Sequence, residues 1–155
     1  MTIDCDGQRT EKCNPNTDPY CQNQTAWSQS DGAPLNAELL PYVVVPGITS
    51  TWSHSGSGIT GATVAAVVYQ GRVAYAVVGD VGPGDAIGEG SYPLAKALGI
   101  NPDPRTGGVS GRVVDHILFP GCGRARSRTV RTPPQWGRPP PRTSWRAARA
   151  VPVCG

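Results

Sequence analysis

With 155 residues, the chain is long enough for one domain with a hydrophobic core. Its 20 glycines and 16 prolines, beside an apolar fraction of 38%, predict a turn-rich, mainly β protein and argue against a helical bundle. No run of about 18 apolar residues is present, so no membrane-spanning segment is expected. The first residues lack the charged and apolar regions of a signal peptide, so none is expected in this chain.

The net charge of +3 combines two oppositely charged parts. Residues 1 to 120 hold all 11 acids and six basic residues, a net charge of −5, whereas residues 121 to 155 hold eight arginines and no acid, a net charge of +8. Because summed surface charge concentrates ligands of opposite sign, the acidic part favours a cationic partner.

Five cysteines cannot all pair within one chain. Cys5 and Cys13 close a short polar loop and predict a disulfide of a secreted protein, with Cys21 as an alternative partner. Cys122 and Cys154 lie in the arginine-rich part. Zinc is a poorer interpretation because the cysteine spacings are not of the short paired kind and both histidines are isolated, so no metal is expected.

The first half of the chain predicts a polar segment followed by strands. Residues 1 to 32 are turn-rich and predict a segment held by disulfides rather than by a core. Residues 39 to 45 are apolar but contain Pro41, which predicts an edge strand. Residues 62 to 69 and 72 to 79 predict a β-hairpin that turns at Gln70-Gly71.

After a glycine-rich loop, Ser91 predicts the cap of a helix that has Pro93 in its first turn and Gly99 at its end. Residues 113 to 119 are a last β-type run. The expected fold is mainly β, a small six-stranded barrel with one or two short helices.

Two carboxylates flank that loop, Asp80 where the apolar run stops and Glu89 just before the predicted helix. Apolar scaffold on both sides can hold two acids at a fixed separation, and the glycines permit close approach of a ligand. Hydrolysis of a glycosidic bond needs such a pair, one carboxyl protonated and one ionised. The simpler alternative is a turn residue at Asp80 and a helix-favouring charge at Glu89. A calcium site at Asp80 and Asp85 fails on ligand count.

Seven short motifs give the chain a family resemblance. They are Asp4-Cys5-Asp6-Gly7, Thr17-Asp18-Pro19-Tyr20, Pro34-Leu35-Asn36-Ala37, Leu40-Pro41-Tyr42, Thr63 to Gly79, Gly79-Asp80 with Gly88-Glu89, and Ala97-Leu98-Gly99-Ile100-Asn101-Pro102. Through these motifs, residues 3 to about 120 resemble the chitosanases of glycoside hydrolase family 75. The resemblance implies secreted, endo-acting cleavage of β-1,4 bonds in chitosan, with inversion, by the pair that matches Asp80 and Glu89.

On this resemblance we assign Glu89 as the general acid and Asp80 as the base that activates water, with the reverse assignment left open. Acids that would bind glucosamine ammonium groups are Asp18, Asp85 and Asp103, and rings that would line the cleft or stack on sugar are Tyr42, Tyr92 and Trp52. Solvated turns for the acids and core packing for the rings are the simpler alternatives. We expect a monomer that binds chitosan or chitooligosaccharides, without a cofactor and without a nucleic-acid or membrane partner.

Two further interpretations concern the fold and the overall activity. The order of strand, Asp, glycine-rich loop, acid and short helix is similar to double-psi barrels such as endoglucanases and expansins. The alternative to an enzyme is a non-catalytic barrel that binds a cationic polysaccharide, with the acids holding amines and Trp52 stacking on sugar.

The resemblance ends near Gly121, which divides the chain into a catalytic domain of residues 1 to 120 and a tail of residues 121 to 155. The tail lacks Asp, Glu, Lys and Ile and has no helical or strand period, which predicts disorder. Its composition leads to the hypothesis of a GC-rich gene read out of frame, which gene sequencing would refute if no one-base shift restored the family ending. A phosphate-binding arm is the alternative.

Overall fold

The computed structural model describes residues 1–121, which form six strands and one helix. In chain order these elements are β1 Thr2–Asp4, β2 Tyr42–Val45, β3 Val64–Tyr69, β4 Arg72–Val81, β5 Glu89–Ser91, α1 Tyr92–Leu98 and β6 Asp115–Phe119. The predicted mainly β fold with six strands and a short helix is confirmed. Residues 122–155, where the tail is predicted, lie outside the described residues.

The six strands form one mixed sheet in the order β1-β5-β2-β4-β3-β6. Strands β1 and β5 are parallel, as are β2 and β4, whereas the other neighbouring pairs are antiparallel. Within residues 1–121 this sheet is open, with β1 and β6 at its edges, and is not closed into the expected barrel. No helix in this part of the chain is long and apolar enough to cross a membrane.

The hairpin and the helix lie where the sequence predicts them. Gln70 and Gly71 both have positive φ, 47° and 75°, as a two-residue type I′ turn requires, and Tyr69 pairs with Arg72 across it. Helix α1 ends at Gly99, whose φ of 76° is left-handed. Ser91 stands at the N-cap position but makes no side-chain cap bond. Its hydroxyl instead donates to the Leu40 carbonyl and accepts from the Tyr42 amide.

Strand β2 is central, so the edge strand predicted for residues 39 to 45 is wrong. It lies between β5 and β4, and all four of its residues are buried. Pro41 precedes the strand, so its missing N–H does not interrupt the hydrogen-bonded ladder.

Two hydrophobic clusters pack against the sheet. The larger one joins the helix to the sheet and includes Val43, Val45, Val67, Val78, Leu94 and Leu98. The smaller one surrounds the first residues and includes Cys5, Cys13, Cys21, Leu35, Tyr42 and Val44. The expectation that residues 1 to 32 lack a core is therefore wrong, because strand β1 joins the sheet and the disulfide region packs beneath β2.

Candidate active site

A β-bulge in β4 decides on which face of the sheet Asp80 lies. Val43 pairs with Val78, but the next residue, Val44, pairs with Asp80, so Gly79 is an extra residue without a partner. Partners on neighbouring strands share a face, and faces alternate along a strand. Without the extra residue, Asp80 would point with Val78 into the larger core. The bulge turns it to the face of Val44 instead.

Only glycine fits at this bulge. A Cβ on Gly79 would stand 2.4 Å from Cδ1 of Leu35 and 2.8 Å from Cβ and Cγ of Tyr42. These atoms belong to side chains buried in the smaller cluster, so they have little room to move.

Val44 separates the two acids singled out in the sequence. It pairs with Asp80 on β4 and with Glu89 on β5, so all three side chains lie on one face in a single row. Neighbouring strands are about 4.8 Å apart, which places the Cα atoms of Asp80 and Glu89 about 10 Å apart. Thr2 extends the row on β1, and its hydroxyl donates to Oε1 of Glu89 over 3.3 Å.

The row opens into a cleft of about 540 Å³. Five acids line this acidic cleft: Asp4, Asp6, Asp18, Asp80 and Glu89. None of its lining residues, all within residues 1–121, is Lys, Arg or His. The cleft is therefore suited to a cationic ligand. In the same part of the chain, no group of three or more His, Cys, Asp and Glu side chains is arranged to hold a metal ion.

Asp80 is held rigidly at the floor of the cleft. Its side chain is 6% exposed, and Oδ1 accepts hydrogen bonds from the amides of Ala26 and Val81, both at 2.7 Å. Burial raises the pKa of Asp80 above the usual range, the charge of Glu89 adds to this increase, and the two amides oppose it. A carboxylate with a raised pKa is a stronger base than an ordinary aspartate.

Asp4 brings a third carboxyl close to this pair. It ends strand β1, and its Oδ1 accepts the Asp6 amide at 2.8 Å. Burial raises the pKa of Asp4 to about 8, and the charges of Asp6, Asp80 and Glu89 add to the increase. Burial also raises the pKa of Asp6, whose Oδ1 accepts the Gln22 amide at 2.6 Å. Asp4 therefore stays protonated at mildly acidic pH.

Glycine also lets Glu89 approach the floor of the cleft. A Cβ on Gly82 would stand 2.9 Å from Oε2 of Glu89 and 3.2 Å from Cγ1 of Val44. The Gly82 amide donates to the Val45 carbonyl at 2.9 Å, which holds the start of the loop against β2. The loop is thus shaped around the Glu89 carboxyl.

The model of a family described as fungal chitosanase of glycosyl hydrolase group 75 matches residues 1–131. This chain belongs to that family. Endo-chitosanase B of Aspergillus oryzae is 30% identical over 131 residues, and the match covers 78% of this chain and 52% of the relative. The endo-chitosanase of Aspergillus fumigatus is 30% identical over 127 residues, with the same coverage. The chain spans about half the length of these curated relatives.

Family membership confirms the resemblance drawn from the motifs, and the match continues past Gly121 to residue 131. One of the motifs, Asp4-Cys5-Asp6-Gly7, contributes two residues to the acidic cleft that were not predicted as site residues, Asp4 and Asp6. The available signal was their alternation in Asp4-Cys5-Asp6, but a strand of three residues gives too little periodicity to predict which face they share.

The acids proposed for substrate binding are in different places. Asp18 lines the acidic cleft, and its Oδ1 accepts the Tyr20 amide at 3.0 Å. Asp85 is exposed in the glycine-rich loop and does not line the cleft. Asp103 is also outside the cleft, where its Oδ1 accepts the amides of Arg105 and Thr106 in a turn.

None of the three predicted rings lines the acidic cleft. Tyr42 is fully buried, and its hydroxyl donates to the Asp6 carbonyl at 3.1 Å, so its ring has no surface for a ligand. Tyr92 is half-buried against the smaller cluster. Trp52 lines a separate cleft and packs partly on the larger cluster. The ring that does line the acidic cleft is Tyr20, which is highly exposed and was not predicted.

The predicted disulfide is confirmed in this family member. Cys5 and Cys13 are bonded, and both are fully buried in the smaller cluster. Cys21 is buried beside them and has no disulfide partner within residues 1–121. The disulfide holds the segment from Cys5 to Cys13, which includes Asp6 and follows Asp4. It therefore helps to position two residues that line the acidic cleft.

Proposed function

We propose that this chain hydrolyses β-1,4-glycosidic bonds in chitosan, with Asp80 and Glu89 as its two catalytic carboxyls. The observation that carries the proposal is their placement on one face of the sheet, on either side of Val44, in an acidic cleft. Membership of a family described as fungal chitosanase supports the reaction class. The relatives' name of endo-chitosanase supports cleavage within the polymer.

The separation of the two acids supports inversion. Inverting glycosidases hold their carboxyls about 6.5–9.5 Å apart so that a water fits beside the sugar, whereas retaining enzymes hold them about 5–5.5 Å apart. Asp80 and Glu89 are two inter-strand spacings apart, about 10 Å between their Cα atoms. This distance favours the wider carboxyl separation of inverting enzymes. Asp80 takes a proton from a water molecule while the oxygen of that water attacks the anomeric carbon. Glu89 gives a proton to the departing glycosidic oxygen.

The assignment of roles rests on the contacts of Asp80. Two backbone amides fix its Oδ1 atom, which orients the other oxygen, and their hydrogen bonds favour the ionised carboxylate that a base requires. Glu89 has a hydroxyl donor from Thr2 and lies beside the glycine-rich loop. This geometry leaves Glu89 as the group that reaches the leaving oxygen.

Chitosan is a polycation at mildly acidic pH, and a cleft lined by acids, with no Lys, Arg or His among its lining residues within 1–121, favours a cation even while Asp4 is protonated. Asp18, at the cleft wall beside Tyr20, is the acid we propose for an ammonium group. The buried disulfide supports a secreted protein, since such bonds persist in oxidising compartments.

Release of reducing ends from highly deacetylated chitosan at mildly acidic pH tests the proposal. Glu89→Gln and Asp80→Asn are each expected to lower kcat by about 10²–10⁴, the usual contribution of a general acid or base. Glu11→Gln is the matched control because Glu11 is exposed and does not line the cleft. Loss of the acid should be rescued by a substrate whose leaving group needs no proton, and loss of the base by azide, which attacks without deprotonation.

Two results would overturn parts of this account. Activity that survives both substitutions would remove these residues from the reaction. A folded protein that binds chitosan but releases no reducing ends, with or without the substitutions, would be a carbohydrate-binding module instead of an enzyme. If azide rescued Glu89→Gln and the activated substrate rescued Asp80→Asn, Glu89 would be the base and Asp80 the acid.

A further inference from the structure

A second cleft, of about 420 Å³, lies near the acidic cleft. It is lined by Pro46, Thr49, Thr51, Trp52, Gly84 and Ile87. Among the described residues 1–121, no charged side chain lines this second cleft, whereas five carboxyls line the acidic one. Its lining side chains are apolar except for the threonine hydroxyls and the indole N–H of Trp52.

The two clefts follow each other along the same elements. Val44 lines the acidic cleft, and Pro46, two residues farther along the chain, lines the second. The loop after β4 does the same, since Gly82 lines the acidic cleft and Gly84 lines the second. A polymer that occupies the acidic cleft can therefore continue into the second one.

The second cleft is formed before a ligand arrives. The Thr49 hydroxyl accepts the amides of Thr51 and Trp52 at 3.3 and 3.1 Å, and the Thr49 amide donates to the Trp52 carbonyl at 2.9 Å. Across the cleft, a Cβ on Gly84 would stand 2.9 Å from Cγ2 of Thr49, so glycine lets the two loops touch. Trp52 also packs on the larger cluster, which lowers the entropy cost of ordering its ring.

We propose that the second cleft is an outer sugar subsite that takes an N-acetylated unit of chitosan, whereas the acidic cleft takes deacetylated units. This inference rests on the proposed function. An ammonium group in the second cleft would lose hydration without gaining a carboxylate among the lining residues. An acetamide methyl there buries apolar surface against Trp52 and Ile87, and the amide can bond a threonine hydroxyl.

Ile87→Ser is the sharpest test variant, because Ile87 is 76% exposed and its loss cannot disturb the core. We expect its kcat/KM to fall about fivefold more on partially acetylated than on fully deacetylated chitosan, the effect of losing one apolar contact. The wild type should leave N-acetylated units enriched at a fixed distance from the new chain ends, and the variant should not. Leu39→Ser is the matched control, since Leu39 is 73% exposed and lines neither cleft.

Equal effects of Ile87→Ser on the two substrates would overturn the inference while leaving the proposed function intact. If Asp85→Asn instead changed the preference, the exposed acid of the same loop would be selecting an ammonium, which also overturns it. If the wild type hydrolysed neither chitosan, the proposed function would fall. Calorimetric titration with fully N-acetylated oligomers would then decide the inference: binding that Ile87→Ser weakens supports it, and no binding by the wild type refutes it.

Discussion

Asp4 is a half-buried acid that the sequence did not assign to the site, and it links the acidic cleft to stability. Its pKa is raised from 3.8 to about 8 in the folded protein, chiefly by burial. Between these values, the folded protein keeps a proton that the unfolded chain has released. The folding stability associated with Asp4 is therefore fully present below about pH 4 and is lost as the pH rises through about 8.

Asp4→Asn should consequently gain stability relative to the wild type as the pH rises from about 4 to 8. Urea midpoints measured across this range check the prediction. Asp103→Asn is the control, since hydrogen bonds from Thr106 and Arg105 lower the pKa of Asp103 from 3.8, so its difference from the wild type changes only at lower pH and stays constant over this range. A constant difference between Asp4→Asn and the wild type at all pH values would contradict the assigned environment of Asp4.

At the same scale, the sequence predicts Asp80 and Glu89 because an apolar run, a glycine-rich loop and a helix start surround them. The prediction that Tyr42 lines the cleft is wrong, because the residues next to a Tyr along the chain do not show whether the fold buries it. Nor does the sequence show that Asp4 and Asp6 face Asp80, since that proximity arises from sheet order.

Among the elements, β4 carries the feature on which the site depends. Its bulge at Gly79 turns Asp80 to the cleft face, and the sequence offers only a glycine to suggest it. The hairpin and α1 are predicted because Gln70-Gly71, Pro93 and Gly99 act through local backbone conformation. Strands β1 and β5 are missed because three residues carry no recognisable period, and their pairing is parallel and distant in sequence.

Gly79→Ala tests the role of the bulge. The added methyl overlaps Leu35 and Tyr42, so we expect a loss of about 1–3 kcal/mol in unfolding free energy, as for overpacked cores. Below the unfolding temperature, kcat should also fall, because relief of the overlap displaces Asp80. Thermal unfolding and reducing-end assays measure the two effects.

The matched control for the bulge is Gly71→Ala. Gly71 has positive φ, which Gly79 does not, but no atom lies within 4 Å of the Cβ that Gly71→Ala adds, and the residue is in the hairpin turn. It should lose some stability to backbone strain and keep its kcat. Equal kcat in Gly79→Ala and Gly71→Ala would show that the bulge does not position Asp80.

For the whole molecule, the net charge of the sequence predicts a property of the folded protein most directly. The net charge of −5 over residues 1 to 120 predicted a cationic ligand, and the fold concentrates five of those acids in one cleft. The open sheet could not be predicted, because the order β1-β5-β2-β4-β3-β6 depends on pairings between strands far apart in sequence.

If these acids bind chitosan, salt should weaken binding. We expect the KM for fully deacetylated chitosan to rise with ionic strength, because the screening length shortens from about 10 Å at 0.1 M to about 3 Å at 1 M salt. Asp18→Asn should show a shallower dependence. Asp115→Asn should keep the wild-type dependence, since Asp115 is exposed on β6 and does not line the cleft. A KM that does not vary with salt would contradict electrostatic recognition.

We propose that Asp80 and Glu89 act on opposite sides of Val44 with a water between them. Proton NMR of the first products from chitosan tests it most directly, because it reports the anomer before mutarotation. We expect new reducing ends to appear as the α anomer, the inverted product of a β-1,4 bond. Initial release of the β anomer would mean retention, which requires carboxyls about 5–5.5 Å apart and would contradict the pairing of these two acids.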